Sequence, residues 1–258
     1  MESSLSIPVA ILAAGEGSRL RASAERVPKP CMPLEGATIA EWSLKAFRLA
    51  GIREFRVGVG FMSTDVRRHY QVLANNLQCD IEFVDSDGWE HGNGVTALAL
   101  ARSFEDRPFL LAMADHIFSP QVVHLLLDRP PDMNKIALAV DPFPDTVLDL
   151  ADLTKVLVKS DHVVAIGKDL RSWNAGDTGL FHCGRVLAES LSEAQEKNQF
   201  SLSDGVRRCA ERGLVQARQL GEKNLWIDID TPSDLGAAAK VVQQLLSEHA
   251  LRSAIEPR

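Results

Sequence analysis

The 258-residue chain is 45% hydrophobic and carries 35 acidic against 28 basic side chains, a formal net charge of −7. That length suits one large α/β domain, and the acidic balance argues against nucleic-acid binding, which favours basic surfaces. No apolar run approaches the roughly 18 residues of a membrane helix, and Met1-Glu2-Ser3-Ser4 lacks the basic and apolar regions of a secretion signal.

Residues 9–12, Val-Ala-Ile-Leu, predict a short buried strand. Ala13, Ala14, Gly15, Glu16 and Gly17 follow, too small and too glycine-rich to prolong it. Glycines there let the chain turn and let a ligand approach successive main-chain amides, which cradle anions and above all phosphates. Arg19 adds a forked, permanently charged donor, and Lys29 a compact ammonium suited to a phosphate oxygen. A dinucleotide fingerprint would need glycine where Leu20 stands, and the Walker pattern would need Gly-Lys-Ser/Thr beyond Gly15. What remains is L-A-A-G-x-G-S-R-L with Pro28-Lys29-Pro30 downstream, and it points to a nucleoside-triphosphate loop. In so acidic a chain, cations that handle phosphate must be focused in one pocket.

Apolar spacing predicts a helix over 38–50, stopped by Gly51. A strand over 55–61, a helix over 65–76 capped by Ser63 or Thr64, and a strand over 79–84 follow. This alternation implies parallel strands with crossover helices, and ligands of such sheets bind beyond the carboxyl ends of the strands. The glycine loop lies at that edge. Residues 87–96 (DGWEHGNGVT) precede a predicted helix over 97–102. Asn93 can donate and accept at once, as reading a base edge requires, and would equally serve as a helix cap. The strand over 108–114 (PFLLAMA) is the most apolar, and it ends on Asp115-His116. A carboxylate at that edge suits magnesium, which takes one or two protein carboxylates and fills its shell with phosphate and water oxygens. Capping of a helix beginning near Ser119 is the other role open to Asp115.

A strand over 135–140 and an irregular acidic stretch over 141–152 come next. Residues 154–159 and 162–168 predict a β-hairpin turning at Ser160-Asp161, with Lys168 at its end as either a phosphate ligand or an exposed lysine. Residues 173–178 read as a loop and 179–183 as a strand. The β-rich portion at about 141–183 is expected to form a lid that holds the acceptor. A helix over 203–212 and a strand over 215–220 lead to Leu225-Trp226-Ile227-Asp228-Ile229-Asp230. Asp228 and Asp230 alternate onto one face of an extended segment, so a cation is needed between them or beside each. A helix over 233–246 closes a single domain, 1–248, and 249–258 reads as a frayed tail. Cys31, Cys79, Cys183 and Cys209 are far apart, as in a reduced, cytoplasmic protein.

Taken in order, LAAGEGSRL, VPKP, GNG, MADHIF, IGK, DTGLF and WIDIDTPSD resemble the sugar-phosphate nucleotidyltransferases of MobA-like fold. HGNGVTALALA, EDRPFLLAMADHIFS and WIDIDT look most like the CTP:inositol-1-phosphate cytidylyltransferases, many of which are fused to a membrane enzyme. The resemblance implies a three-layer Rossmann-like α/β fold with a mainly parallel central sheet. It implies that Leu12, Ala13, Ala14, Gly15, Glu16, Gly17, Ser18, Arg19 and Lys29 bind the triphosphate, with Arg19 and Lys29 catalytic. Asn93, Gly94 and Thr96 fall at the base, Asp115 and Asp228 hold Mg2+, and His116, Lys168, Asp177 and Thr178 face the acceptor. MADHIF carries Ala114 where many relatives have glycine. The implied reaction is attack of a phosphate monoester on a nucleoside triphosphate, CTP and inositol 1-phosphate being the expected pair. A hexose 1-phosphate, phosphonate, phosphocholine or pterin acceptor, and a non-catalytic nucleotide-sensing subunit, are the alternatives. A homodimer is compatible with the sequence and not required by it.

Overall fold

The computed structural model of the chain describes residues 7–20, 27–142 and 152–247. The run before the glycine loop is β1 (Val9–Ala13), buried throughout. A small hairpin, β2 (Pro33–Leu34) with β3 (Ala37–Thr38), leads into α1 (Ile39–Leu49), where Thr38 Oγ1 accepts the Glu41 amide and caps the helix. Next come β4 (Glu54–Val59), α2 (Ser63–Leu77) and β5 (Asp80–Asp85). After α3 (Asn93–Ser103) stand β6 (Phe109–Met113), β7 (His116–Phe118), α4 (Pro120–Leu127) and β8 (Ile136–Asp141). β9 (Lys155–Lys159) and β10 (His162–Gly167) form the hairpin, with Ser160 and Asp161 both at positive φ, as a primed turn requires. The chain continues through β11 (Ala175–Cys183), α5 (Val186–Gln195), α6 (Leu202–Glu211), β12 (Val215–Gln219), β13 (Trp226–Asp228) and α7 (Pro232–Ser247).

The main sheet has nine strands in the order β5-β4-β1-β6-β11-β8-β12-β10-β9. β5, β4, β1 and β6 are mutually parallel, as are β8 and β12, while β11 runs against both β6 and β8. Strand alternation divides the core in two. Val9, Ile11 and Ala13 of β1 face α1, α2 and α4, whereas Ala10 and Leu12 face α3, α5 and α6. Each fully buried Leu, Ile or Phe on these faces contributes about 1.5–3 kcal/mol to the stability of the layers that carry the glycine loop. A third cluster packs α7 against α1 and a separate two-stranded sheet of β7 and β13. Among the described residues no helix is long and apolar enough to cross a membrane.

Several local expectations are corrected. The cap of α2 is Met62 in the left-handed region, so Ser63 and Thr64 lie inside the helix. α3 begins at Asn93, not residue 97, because Gly92 and Gly94 let its first turn press on the backbone of 200–201; a methyl on either would sit about 2.5 Å from the Phe200 carbonyl. Residues 175–178 are strand, paired to β8 and β9, not loop. α5 was not anticipated at all. The hairpin pairs at the edge of the main sheet, and Asp141, expected in the irregular stretch, belongs to β8. Most of the acidic stretch, 143–151, and the tail expected at 249–258 lie outside the described residues.

Candidate active site

The glycine loop is pinned at both sides: the Phe61 amide donates to the Ala14 carbonyl at 2.9 Å, and the Ala114 amide to Leu12 at 3.2 Å. Gly15 has nothing within 4 Å of where a methyl would stand, so the fold itself makes no demand for glycine there. Gly17 differs. Its φ is +60°, and a methyl would lie 3.0 Å from Lys29 Cβ, so this glycine allows both the turn and the close passage of Lys29.

Lys29 opens a 3-10 turn, Lys29–Cys31, and its side chain is only 7% exposed. Its ammonium donates to Asp115 Oδ2 at 2.6 Å and to Asp230 Oδ1 at 2.7 Å. Burial disfavours the charge, but Asp115, Asp228 and Asp230 outweigh it and hold Lys29 above its ordinary pKa. Arg19, on the exposed side, donates to Asp230 Oδ2 at 2.9 Å and is paired with Asp152, which also takes Lys168. Burial of Asp152 is overcome by its bonds to Lys168 and Arg19, which lower its pKa to about 2.

The antiparallel pairing of β7 with β13 sets His116 opposite Asp228, next to Asp115. His116 Nδ1 donates to the Thr178 carbonyl at 2.8 Å, since a carbonyl can only accept. That leaves Nε2 3.3 Å from Asp228 Oδ1 and 3.6 Å from Asp115 Oδ1. Burial opposes an imidazolium here, but Asp228 and Asp115 raise His116 to about 9. Asp228 is held well below the usual carboxylate range: burial opposes ionisation, and His116 and then Lys29 prevail. Asp230 goes the other way, raised by burial and by Asp228. Oδ1 of Asp115 and Oδ1 of Asp228 are buried without a hydrogen bond, and with His116 they form a group whose ligand atoms lie within 4.8 Å of one another. Once the Nε2 proton is displaced, these two acidic oxygens and the imidazole nitrogen are a donor set fit for a divalent cation.

Two cavities meet at this cluster. The smaller, about 240 Å³, is lined by Leu12, Ala13, Ala14, Gly15, Gly17, Arg19, Lys29, Asn93 and Thr96 of the expected nucleotide residues. The larger, about 320 Å³, is lined by His116, Lys168, Asp177 and Asp228 of the expected acceptor and metal residues. Arg19, Asn93, Asp115 and Asp230 border both.

Some of the anticipated residues stand elsewhere. Gly94 lines neither cavity; its amide donates to the Phe200 carbonyl at 2.8 Å, and its lack of a side chain serves packing. Thr178 is fully buried, its hydroxyl donates to the Ala139 carbonyl, and it bears on the site only by orienting His116. Glu16 borders neither cavity, and the side chain of Ser18 lies outside what the structure describes. Asn93 borders both, yet its Oδ1 accepts the Leu202 amide at 2.8 Å, so that oxygen already ties α3 to α6. Thr96 lines the smaller cavity with its hydroxyl bonded to Ser86 Oγ at 2.8 Å. Asp177 accepts the Gly179 amide, and burial raises its pKa to about 6.

Sequence reasoning missed Asp152, which bridges the two exposed cations, as well as Trp89 and Trp226, which wall the smaller and larger cavities. The stretch D-G-W-E-H-G-N-G offered a signal for Trp89, a large aromatic between glycines where no core strand or helix needs one.

A family profile described as the MobA-like NTP transferase domain matches residues 9–195. The bifunctional IPC transferase and DIPP synthase of Rubrobacter xylanophilus is 34% identical over 238 residues, 92% of this chain and 52% of that protein. The Archaeoglobus fulgidus protein of the same description is 28% identical over 90% of this chain and 43% of its own length. The chain therefore spans about half the length of the curated relatives it matches. The solved structure of the inositol-1-phosphate CTP transferase from T. maritima shares the fold with a TM-score of 0.81, at 24% identity over 93% of this chain and 96% of that one. A profile match running from the glycine loop through β11 to the end of α5 makes the chain a member of the MobA-like NTP transferase domain family.

Proposed function

We propose that the chain transfers CMP from CTP to inositol 1-phosphate or a close polyol phosphate, with release of pyrophosphate. The observation that carries this reading is the meeting of two cavities at one cluster of Lys29, Arg19, Asp115 and Asp228, one cavity bounded by the glycine loop and the other by Lys168. The choice of CTP and inositol phosphate rests on the descriptions of the relatives from Rubrobacter xylanophilus and T. maritima.

In this reaction an oxygen of the acceptor phosphate attacks the α-phosphorus. A new P–O bond forms as the bond to the β,γ-diphosphate breaks, and its electrons leave on pyrophosphate. The nucleophile is already ionised near neutral pH, so no side chain need remove a proton. Catalysis is then positioning and charge neutralisation. Lys29 lines the nucleotide-side cavity, held by Asp115 and Asp230, which border both cavities, and there it would meet charge developing on the α-phosphate. Arg19 leaves Asp152 to meet the triphosphate, and Lys168 leaves the same carboxylate to meet the acceptor phosphate. Asp115 and Asp228, with His116 beside them, would hold Mg2+, which supplies screening of the phosphate oxygens when bound.

Purified protein is offered CTP, UTP, GTP and ATP with inositol 1-phosphate, glucose 1-phosphate, phosphocholine and aminoethylphosphonate, and the products are identified by mass. CTP with inositol 1-phosphate should turn over fastest, and Asp228→Asn should abolish metal-dependent turnover in a folded protein. A clear preference for UTP, GTP or a hexose phosphate would overturn the substrate assignment.

A further inference from the structure

The lining of the smaller cavity is of two chemical kinds. Lys29, Arg19, Asp115 and Asp230 are charged, while Trp89 offers a large aromatic face. Trp89 is half-buried and takes part in none of the three apolar cores, so folding alone gives no account of a large indole at this place. Its position is nevertheless strictly built. Gly88, at φ +80°, opens the 3-10 turn Trp89–His91, and Gly92, at φ +155°, ends it. The ring lies directly on the backbone after β4: a methyl on Gly60 would stand 2.5 Å from Trp89 Cγ and 3.0 Å from Ala14 Cβ. Phe61 backs the indole edge-on, with ring centroids 6.0 Å apart at 65°.

We propose that Trp89 is the wall on which the nucleobase stacks, and that Gly60 is glycine so that the indole can lie flat enough to leave room for it. The inference rests on the nucleotide-side reading of this cavity, and it assigns the base a surface that hydrogen bonding by Asn93 does not supply. An aromatic face accepts any base, so Trp89 contributes affinity for the nucleoside part and none for the phosphates. Gly60 lines neither cavity, yet it belongs to the same device: adding a methyl pushes the indole toward the base.

The test measures binding of CTP and of inorganic tripolyphosphate, at fixed magnesium, to wild-type protein and to Trp89→Ala, Trp89→Phe and Gly60→Ala. Trp89→Ala should weaken CTP by about tenfold or more and tripolyphosphate by no more than about twofold, the base being absent from the latter. Trp89→Phe should keep most of the CTP affinity. Gly60→Ala should lose CTP affinity selectively, as Trp89→Ala does. Parallel loss of CTP and tripolyphosphate affinity would make Trp89 a structural residue and overturn the proposal. So would unchanged CTP binding in Trp89→Ala, or wild-type protein binding CTP no better than tripolyphosphate. Ring-dependent binding of UTP in preference to CTP would instead sink the cytidylyl assignment and leave Trp89 in its place.

Discussion

Lys29 is where sequence and structure give different weights to one residue. As a lysine in a proline-flanked loop it is expected to supply charge to the reaction and little to the fold. Its ammonium is instead nearly enclosed and shared between Asp115 and Asp230, with Asp228 close enough to raise its pKa. Removing one partner of a buried charge pair leaves the other uncompensated, which costs about 3–5 kcal/mol. Lys29→Ala should therefore lower the thermal midpoint as well as turnover, the latter by about 100-fold or more. Magnesium or manganese should recover part of the lost midpoint, because a cation between the carboxylates relieves the repulsion that Lys29 now relieves. Arg19 makes the contrast, since its side chain is 55% exposed and its pairs with Asp152 and Asp230 contribute little to stability. Thermal melts of Lys29→Ala and Arg19→Ala with and without divalent metal check this. A Lys29→Ala protein with unchanged midpoint and turnover would remove the residue from both roles.

At the scale of elements, the site is made by pairings more than by single motifs. β7 and β13 bring Asp115 and Asp228 together from distant parts of the sequence, and β11 carries the carbonyl that turns His116 toward them. β11 does so at an irregularity: its register with β8 shifts between Asp177 and Phe181, and Gly179 sits there at φ +72°. A methyl on Gly179 would lie 2.4 Å from His116 Cε1, so glycine here makes space for the ring. Gly179→Ala should destabilise the fold by about 1–3 kcal/mol and weaken manganese binding by displacing His116. Denaturant unfolding and manganese titration test this together; full manganese affinity would mean that His116 does not support the metal site. The same elements show what was legible beforehand. β1, α1 and β6 follow from apolar periodicity, and the loop with Arg19 and Lys29 follows from chemistry confined to one stretch. The strand at 175–178 was misread because W-N-A-G-D-T has turn composition, and only its neighbours β8 and β9 make it extended. α5 escaped notice because Arg185 provides no side-chain cap. Asp152 was invisible as a site residue because its partners, Arg19 and Lys168, reach it only through the fold.

For the molecule as a whole, burial of histidines sets an acid limit that is separate from the active site. His69, hydrogen-bonded to Thr38 Oγ1 at 2.8 Å, and His182, donating from Nδ1 to the Leu126 carbonyl at 3.1 Å, both have pKa values lowered by burial. Each is favoured neutral in the native state, so the unfolded chain takes up protons first. The stability they support is complete above the unfolded value of about 6.5 and is lost as pH falls from there through the native value. His116 does not contribute in that window. Its native pKa of about 9 leaves it protonated in both states below about 6.5, so its own slope falls on the alkaline side. Asp177, raised to about 6, works oppositely at lower pH, because its neutral form is the one the native state prefers. The urea midpoint should therefore decline as pH is lowered below about 6.5, with His69→Gln and His182→Gln each removing part of the decline. Both substitutions keep a polar side chain that cannot gain a proton. A midpoint that falls as steeply in the double variant as in wild type would place the acid sensitivity elsewhere, with the carboxylates of the active site the next groups to test.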